Sequence, residues 1–441
     1  MPRQYAAQIA KYTEKQLQPG RRNRGHCANG RRRLRLTRPG DHAKKSGHQR
    51  EAAAQLPILA LLDQGDAARR LGIDDSPMDT MPWISVALLG ALLRSEGTTI
   101  CVRARLLLGR LGGGEGPMDY SLLGSTGVKV SKICLGTATF GVAPGVKEAE
   151  RVVQVALDLG INFFDTANVY GATSTFDRPG APPAAEREPA ELILGRALAG
   201  RHDDVVIATK SGERRFDPAA GLSRRYIIQQ VEHSLHRLGT DYIDLYYAHF
   251  PDPDTPLEQT LSVYDDLVRQ GKLRYVALSN YPAWQVTHAL WIADDRRLAA
   301  PVCVQVKYNL IDRAAEAELA PACVQFGLSI VPFGPLHGGL LAGTTQIEER
   351  EFAGDKRFGG SGFSETEFEV GREVERLAQD WSVQSYQVSL AWLLSRPAVA
   401  SVIVGAETVE EITANATAAN VKLEQAQLDA LTALRAGDDD S

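Results

Sequence analysis

Ile161-Asn162-Phe163-Phe164 is a short apolar run that stops at Asp165, with Tyr170 five residues further on. The same punctuation recurs along residues 133–404. Val205-Val206-Ile207-Ala208-Thr209 runs into Lys210, and Tyr242-Ile243-Asp244-Leu245-Tyr246-Tyr247-Ala248 runs into His249. Arg274-Tyr275-Val276-Ala277-Leu278 runs into Ser279 and Asn280. Such runs have the length of strands, and their near-continuous apolarity marks strands buried on both faces. Strands are predicted at about 133–137, 161–165, 204–209, 242–248, 274–278, 302–306, 328–333 and 400–404. Helices are predicted between and after them, at about 147–159, 188–199, 223–238, 256–270, 283–293, 314–325, within 365–395, and at 407–417. Eight alternating units in this length predict an α/β protein with a closed parallel (β/α)8 TIM barrel. A doubly wound open sheet is the alternative, but no Gly-x-Gly-x-x-Gly follows the first strand. In a barrel all strand C-termini open onto one face, and the active site is built there. Asp165, Tyr170, Lys210 and His249 are therefore predicted to converge.

Composition sets the surroundings. The chain has 441 residues, 44% of them hydrophobic, enough for a large core. Its five cysteines (Cys27, Cys101, Cys134, Cys303, Cys323) form no close pairs. That argues against a disulfide framework or a zinc ribbon and for a reducing cytoplasm. No metal site is expected. The longest apolar run, Ile84 to Leu93, is broken by Ser85 and Gly90. It is too short to span a bilayer and too far from the N-terminus for a signal peptide, so no membrane partner is expected. Charge is asymmetric: residues 1–117 carry 20 Lys and Arg against 10 Asp and Glu, and the rest carry 29 against 44. Arg21, Arg22, Arg24, Arg31, Arg32, Arg33, Arg35 and Arg38 form a basic block, and Gly112-Gly113-Gly114-Glu115-Gly116-Pro117 reads as a flexible junction. Residues 1–117 are expected to be a basic, low-order extension, with Met118 an alternative start codon. A nucleic-acid-binding arm is the competing reading. Residues 118–441 are expected to be the barrel domain. It opens with a β-hairpin, Asp119 to Leu123 and Val128 to Val130 around Gly124-Ser125-Thr126-Gly127.

Several motifs occur in a fixed order. Leu123-Gly124-Ser125-Thr126-Gly127-Val128-Lys129-Val130-Ser131 precedes Leu135-Gly136-Thr137-Ala138-Thr139-Phe140-Gly141. Gly160-Ile161-Asn162-Phe163-Phe164-Asp165-Thr166-Ala167-Asn168-Val169-Tyr170-Gly171 follows. Then come Leu194-Gly195-Arg196-Ala197-Leu198, Ala208-Thr209-Lys210, Asp241-Tyr242-Ile243-Asp244-Leu245-Tyr246 before His249, and Gly271-Lys272-Leu273-Arg274-Tyr275 before Ser279-Asn280. Gln305-Val306-Lys307-Tyr308-Asn309-Leu310 closes the series. From Met118 to about residue 432 the chain resembles the aldo-keto reductases.

The resemblance implies hydride transfer between NADP(H) or NAD(H) and a carbonyl carbon. Negative charge then develops on the carbonyl oxygen, so a proton donor must stand beside it. Tyr170 takes that role. A free phenol has a pKa of about 10, and Lys210 is expected to lower it. Asp165 would hold Lys210 charged, and His249 would fix the substrate oxygen as an oxyanion donor does. By the same resemblance, Ser279, Asn280 and Gln305 would bind the nicotinamide carboxamide, and Phe333 would stack on its ring. Gly334 and Leu336 lie beyond Phe333 on the cofactor side. Gly405, Ala406 and Glu407, with Asn415, would hold the adenosine phosphates at a helix N-terminus.

Three departures from the family pattern stand out. Gly334 takes the place of a common Ser, and Ala277 that of a common Gly. Glu407 and Glu411 fall where many relatives carry residues suited to a 2′-phosphate. A carboxylate repels that phosphate, so NAD(H) becomes an expected cofactor beside NADP(H). Segment 171–189 follows Tyr170 directly, and Phe176 and Arg178 in it are candidate substrate contacts; the insertion 342–366, with Arg357 and Phe358, is expected over the cofactor. The expected partner is a small aldehyde, ketone or sugar; oligomeric state and direction are left open. Competing readings are a nucleotide-binding regulatory subunit of a channel complex and an isomerase or aldolase using Lys210 as a Schiff base.

Overall fold

A computed structural model describes residues 118–214, 220–348 and 362–434. The expectations for residues 1–117, and for Arg357 and Phe358, lie outside the described residues. Strand β1 (Tyr120–Leu122) pairs antiparallel with β2 (Lys129–Ser131), within a residue of the predicted hairpin. Gly124 turns between them at φ +54°, and a Cβ there would meet the Val302 carbonyl oxygen at 2.4 Å, so a side chain is excluded.

Eight further strands make one parallel sheet: β3 (Ile133–Gly136), β4 (Phe163–Asp165), β5 (Val206–Ser211), β6 (Ile243–Ala248), β7 (Leu273–Ser279), β8 (Pro301–Gln305), β9 (Ser329–Ile330) and β10 (Val402–Gly405). Their spatial order is β10-β3-β4-β5-β6-β7-β8-β9. The two edges meet: Ala400 N donates to Ile330 O at 3.1 Å, Ile330 N to Ala398 O at 2.7 Å, and Ile403 N to Pro332 O at 2.9 Å. The sheet is thus curled onto itself as an α/β barrel requires. Helices follow the strands: α1 (Val146–Asp158), α2 (Ala190–Ala197), α3 (Arg224–Leu238), α4 (Leu257–Arg269), α5 (Ala283–Arg296), α6 (Leu319–Phe326), α7 (Glu365–Asp380), α8 (Ser385–Leu394), α9 (Val409–Thr417) and α10 (Gln425–Ala433). None of the described helices is long and apolar enough to cross a membrane.

Several predicted elements come out shorter, and two of them have a proline at the change. Regular pairing in β9 stops before Pro332, which has no N–H to donate, although Phe333 N still reaches Val306 O at 3.0 Å. The helix predicted at 314–325 splits into a 3-10 turn at Ala314–Glu316 and α6. Pro321 sits in the first turn of α6, where a missing N–H loses no intrahelical bond.

Strand side chains alternate between two apolar layers. Phe164, Ile207, Tyr246, Leu278 and Val304 face outward among the helices. Phe163, Val206, Ala208, Leu245, Tyr247, Ala277 and Cys303 pack inside. Both faces of each strand are covered, which is why these runs lack a polar alternation. Leu123 and Val130 of the hairpin join the inner layer with no exposure, plugging the end of the barrel where its strands begin. Asp165, Lys210, His249, Ser279 and Gln305 continue the inward parity at the other end.

Replacing Leu123 by Ala removes part of that plug. Denaturant unfolding should show a loss of about 2–5 kcal/mol. A loss well under 1 kcal/mol would mean that the hairpin contributes little to the barrel interior.

Candidate active site

The chain leaving β4 stays bonded to β5, and this places Tyr170. Thr166 N donates to Ala208 O at 2.9 Å, and Asn168 N to Lys210 O at 3.1 Å. Ala190 N then donates to Tyr170 O at 3.0 Å. Gly171 follows at φ +87°; a Cβ on it would lie 2.4 Å from the Glu188 carbonyl oxygen. Only glycine permits that approach of the backbone. A buried network braces the same turn. Arg237 on α3 donates to Asn168 O and to Glu191, each at 3.1 Å, and the fully buried Glu191 accepts from Thr209 Oγ1 at 2.6 Å. Sequence reading did not single out these residues. The available signal was Glu191, a charge on the apolar side of α2 beside Ala190, Ile193 and Leu194.

Lys210 has no solvent exposure, and Asp165 is 3% exposed. The Lys210 ammonium donates to the Asp165 carboxylate, to Thr166 O at 2.8 Å and to the Tyr170 hydroxyl at 3.4 Å. Three protons meet three acceptors. The other Asp165 oxygen accepts from Gln305 Nε2 at 2.8 Å. Burial by itself lowers the Lys210 pKa, but the adjacent Asp165 and Tyr170 oxygens outweigh it and raise the value above normal. Burial pushes the Asp165 carboxyl upward, opposed by Lys210 and Gln305. Tyr170 departs from expectation. Lys210 does pull its pKa down, but burial is the larger effect, and the net direction is upward.

His249, 6% exposed, meets the Tyr170 ring edge to face with centroids 6.0 Å apart. Asn280 adopts a left-handed backbone, φ 62°. Its Nδ2 donates to His249 O at 3.0 Å and to Ser279 Oγ at 3.1 Å. Asp165, Tyr170, Lys210, His249, Ser279, Asn280 and Gln305 thus form one connected floor at the C-terminal strand ends.

The remaining predicted residues sit where β9 and β10 adjoin. Phe333 is half-buried and packs on the inner apolar layer. Gly334 turns the chain at φ 62°, its carbonyl accepting from Asn309 Nδ2 at 2.9 Å, and Leu336 packs toward the helices. Gly405 ends β10 and Ala406 follows it, and a Cβ on Gly405 would enter open space. Asn415 is buried on α9. Glu407 bonds Arg178 at 2.7 Å. Glu411 folds back to accept the Glu407 N–H at 2.7 Å. Both carboxylates are therefore engaged by protein groups near the N-terminus of α9.

The sequence model of the Aldo/keto reductase family matches residues 132–436, and the chain belongs to that family. An uncharacterized oxidoreductase of Bacillus subtilis is 35% identical over 70% of this chain and 93% of its own length. A probable voltage-gated potassium channel subunit beta of Arabidopsis thaliana is 34% identical over 69% of this chain and 92% of its own. L-glyceraldehyde 3-phosphate reductase of Escherichia coli K12 is 29% identical over 69% and 88%.

Asp165→Asn should leave the Lys210 ammonium buried without its counter-charge. Chemical denaturation is expected to register a loss of about 3–5 kcal/mol at neutral pH. An unchanged unfolding midpoint would show that the pair is not ionised in the folded protein.

Proposed function

We propose that this chain is an NAD(P)(H)-dependent oxidoreductase that interconverts small aldehydes, ketones or sugars and their alcohols. Tyr170 is its general acid and base. The observation that carries this reading is the Tyr170 hydroxyl 3.4 Å from the ammonium of a lysine buried on Asp165, with the His249 ring alongside. A proton relay of this kind suits an oxygen whose charge changes during reaction.

The chain's own groups fit a nicotinamide dinucleotide. Gly405 faces open space at the end of β10, Gly334 gives bare backbone just past Phe333, and α9 begins four residues after Gly405. Ser279, Asn280 and Gln305 would hold the carboxamide, and Phe333 would lie against the ring. When bound, the dinucleotide supplies or accepts the hydride. Tyr170 gives its proton to the carbonyl oxygen as charge develops there. Lys210 stabilises the phenolate left behind, and Asp165 keeps Lys210 charged. His249 hydrogen-bonds the same oxygen and sets its angle. In alcohol oxidation Tyr170 takes the proton back.

Glu407 and Glu411 support NAD(H) beside the family's usual NADP(H), because carboxylates near the adenosine end repel a 2′-phosphate. Much tighter binding of NADPH than NADH by direct titration would overturn this preference. The relatives named as channel subunits favour a second reading, a nucleotide-binding regulatory subunit. The intact set of Asp165, Tyr170, Lys210 and His249 favours turnover. The scarcity of paired cysteines supports a reducing, cytoplasmic setting, and residues 118–441 are the proposed catalytic unit, with 1–117 dispensable. Loss of folding on removal of 1–117 would reject that boundary.

Tyr170→Phe should lower carbonyl reduction by about 10²–10⁴-fold while fluorescence titration still detects cofactor binding. Cofactor binding without turnover in the unmodified protein would favour the regulatory reading. The phenolate form needed for alcohol oxidation grows as pH rises through the Tyr170 pKa, whereas the phenol needed for reduction persists below it. Lys210→Met removes a group that lowers this pKa, so residual oxidation should move to higher pH. A pH profile that stays in place, or moves down, would exclude Lys210 as the group tuning Tyr170.

A further inference from the structure

The 3-10 turn Ser174–Phe176 hangs from the chain just beyond Tyr170. Phe176 meets the Tyr170 ring edge to face, with centroids 6.0 Å apart and planes at 75°. His249 meets the same ring at the same separation. A carbonyl oxygen within reach of Tyr170 and His249 places its carbon substituents beside this cluster.

The turn is pinned from two directions. The Arg187 side chain is 1% exposed, and its Nη2 donates to Thr173 O at 3.0 Å and to Asp177 Oδ1 at 2.5 Å. These acceptors bracket residues 174–176. Arg187 Nε and Nη1 are buried and make no hydrogen bond among the described residues. Burying a guanidinium in that state is costly, so the position it imposes on the turn is what it contributes. One residue past Asp177, Arg178 bonds Glu407 beyond β10. Because β3 lies between β4 and β10, this contact carries the loop across the end of β3. Pro179, Pro182, Pro183 and Pro189 restrict the backbone of the rest. Both arginines of the loop are committed to carboxylates. What the loop offers next to Tyr170 is an aromatic ring.

We infer that Phe176 is a specificity-determining wall of the substrate pocket, set against Tyr170 by the Arg187 clamp, and that it selects carbonyl compounds with an apolar, above all aromatic, substituent. Arg187 is a positioning residue acting through the turn. This rests on the reductase reading proposed above.

The test compares kcat/KM for benzaldehyde and for glycolaldehyde in the full-length protein with saturating NADPH or NADH. The unmodified enzyme should favour benzaldehyde. Phe176→Ala should reduce the benzaldehyde-to-glycolaldehyde ratio about tenfold, mainly through KM for benzaldehyde. Phe176→Tyr should keep the ratio. Arg187→Met should lower it in the same direction and Arg187→Lys should recover part of it, whereas general loss of folded enzyme would lower both rates and leave the ratio alone. A ratio within about twofold of the unmodified value in Phe176→Ala, or an initial preference for glycolaldehyde, overturns the inference and leaves the reductase reading standing. If no carbonyl is turned over, the reductase reading fails, and benzaldehyde binding by calorimetry decides the inference. Affinity that depends on Phe176 sustains it; no binding, or binding indifferent to Phe176, overturns it.

Discussion

An ammonium group shut away from water organises this protein. Lys210 has no contact with solvent, and such a charge is tolerated only when counter-charge and hydrogen bonds surround it. Each acceptor comes from a fixed part of the fold. Asp165 ends the neighbouring strand, Thr166 supplies the next carbonyl, and Tyr170 closes the turn that stays bonded to β5. Gln305 reaches the same carboxylate from β8, across the barrel. Satisfying one lysine therefore fixes the register of β4 on β5, the path of the following loop and the place of the phenol.

The barrel makes that arrangement affordable. Inward side chains are mostly apolar from the hairpin plug up to Tyr247 and Cys303, with Ser329 at the start of β9 accepting from Gly124 N, and the charged groups come in the last positions of the strands. Hydrophobic burial stabilises the lower layers, and the polar layer sits above them with a low dielectric beneath. In that setting each hydrogen bond is stronger than in water, and each unpaired group is more expensive. The same burial explains why the Tyr170 pKa rises despite Lys210: removing a phenolate from water costs more than one ammonium at 3.4 Å returns.

Around this centre the loops are held by long-range charge pairs rather than by regular structure. Arg178 and Glu407 join segments that follow the second and the last barrel strands, and Arg187 closes the same loop on itself. Glu411 spends its carboxylate on the Glu407 N–H. The region expected to meet the adenosine end of a dinucleotide and the region expected to meet the substrate are thus mechanically connected through one ion pair.

The strand runs, the inward residues at their ends and the ordered motifs made the eight parallel strands, the family and the convergence of Asp165, Tyr170, Lys210 and His249 legible from sequence. Those features depend on local apolarity and on a topology that sends every strand end to one face, so residue spacing suffices. The bond from Gln305 to Asp165, the reach of Arg178 to Glu407 and the burial of Glu191 and Arg187 were not legible. Each depends on a rotamer chosen by contacts between segments far apart in the chain, and no spacing rule encodes that choice. The short β9 and the split helix near Pro321 reflect single missing N–H groups whose effect depends on where the element starts. The direction of the Tyr170 shift is a balance of burial against charge, and only packing sets how much water the phenol loses. The sequence alone determined that Asp165, Tyr170, Lys210 and His249 meet; the tertiary structure decided which further groups join them, how they bond and how they titrate.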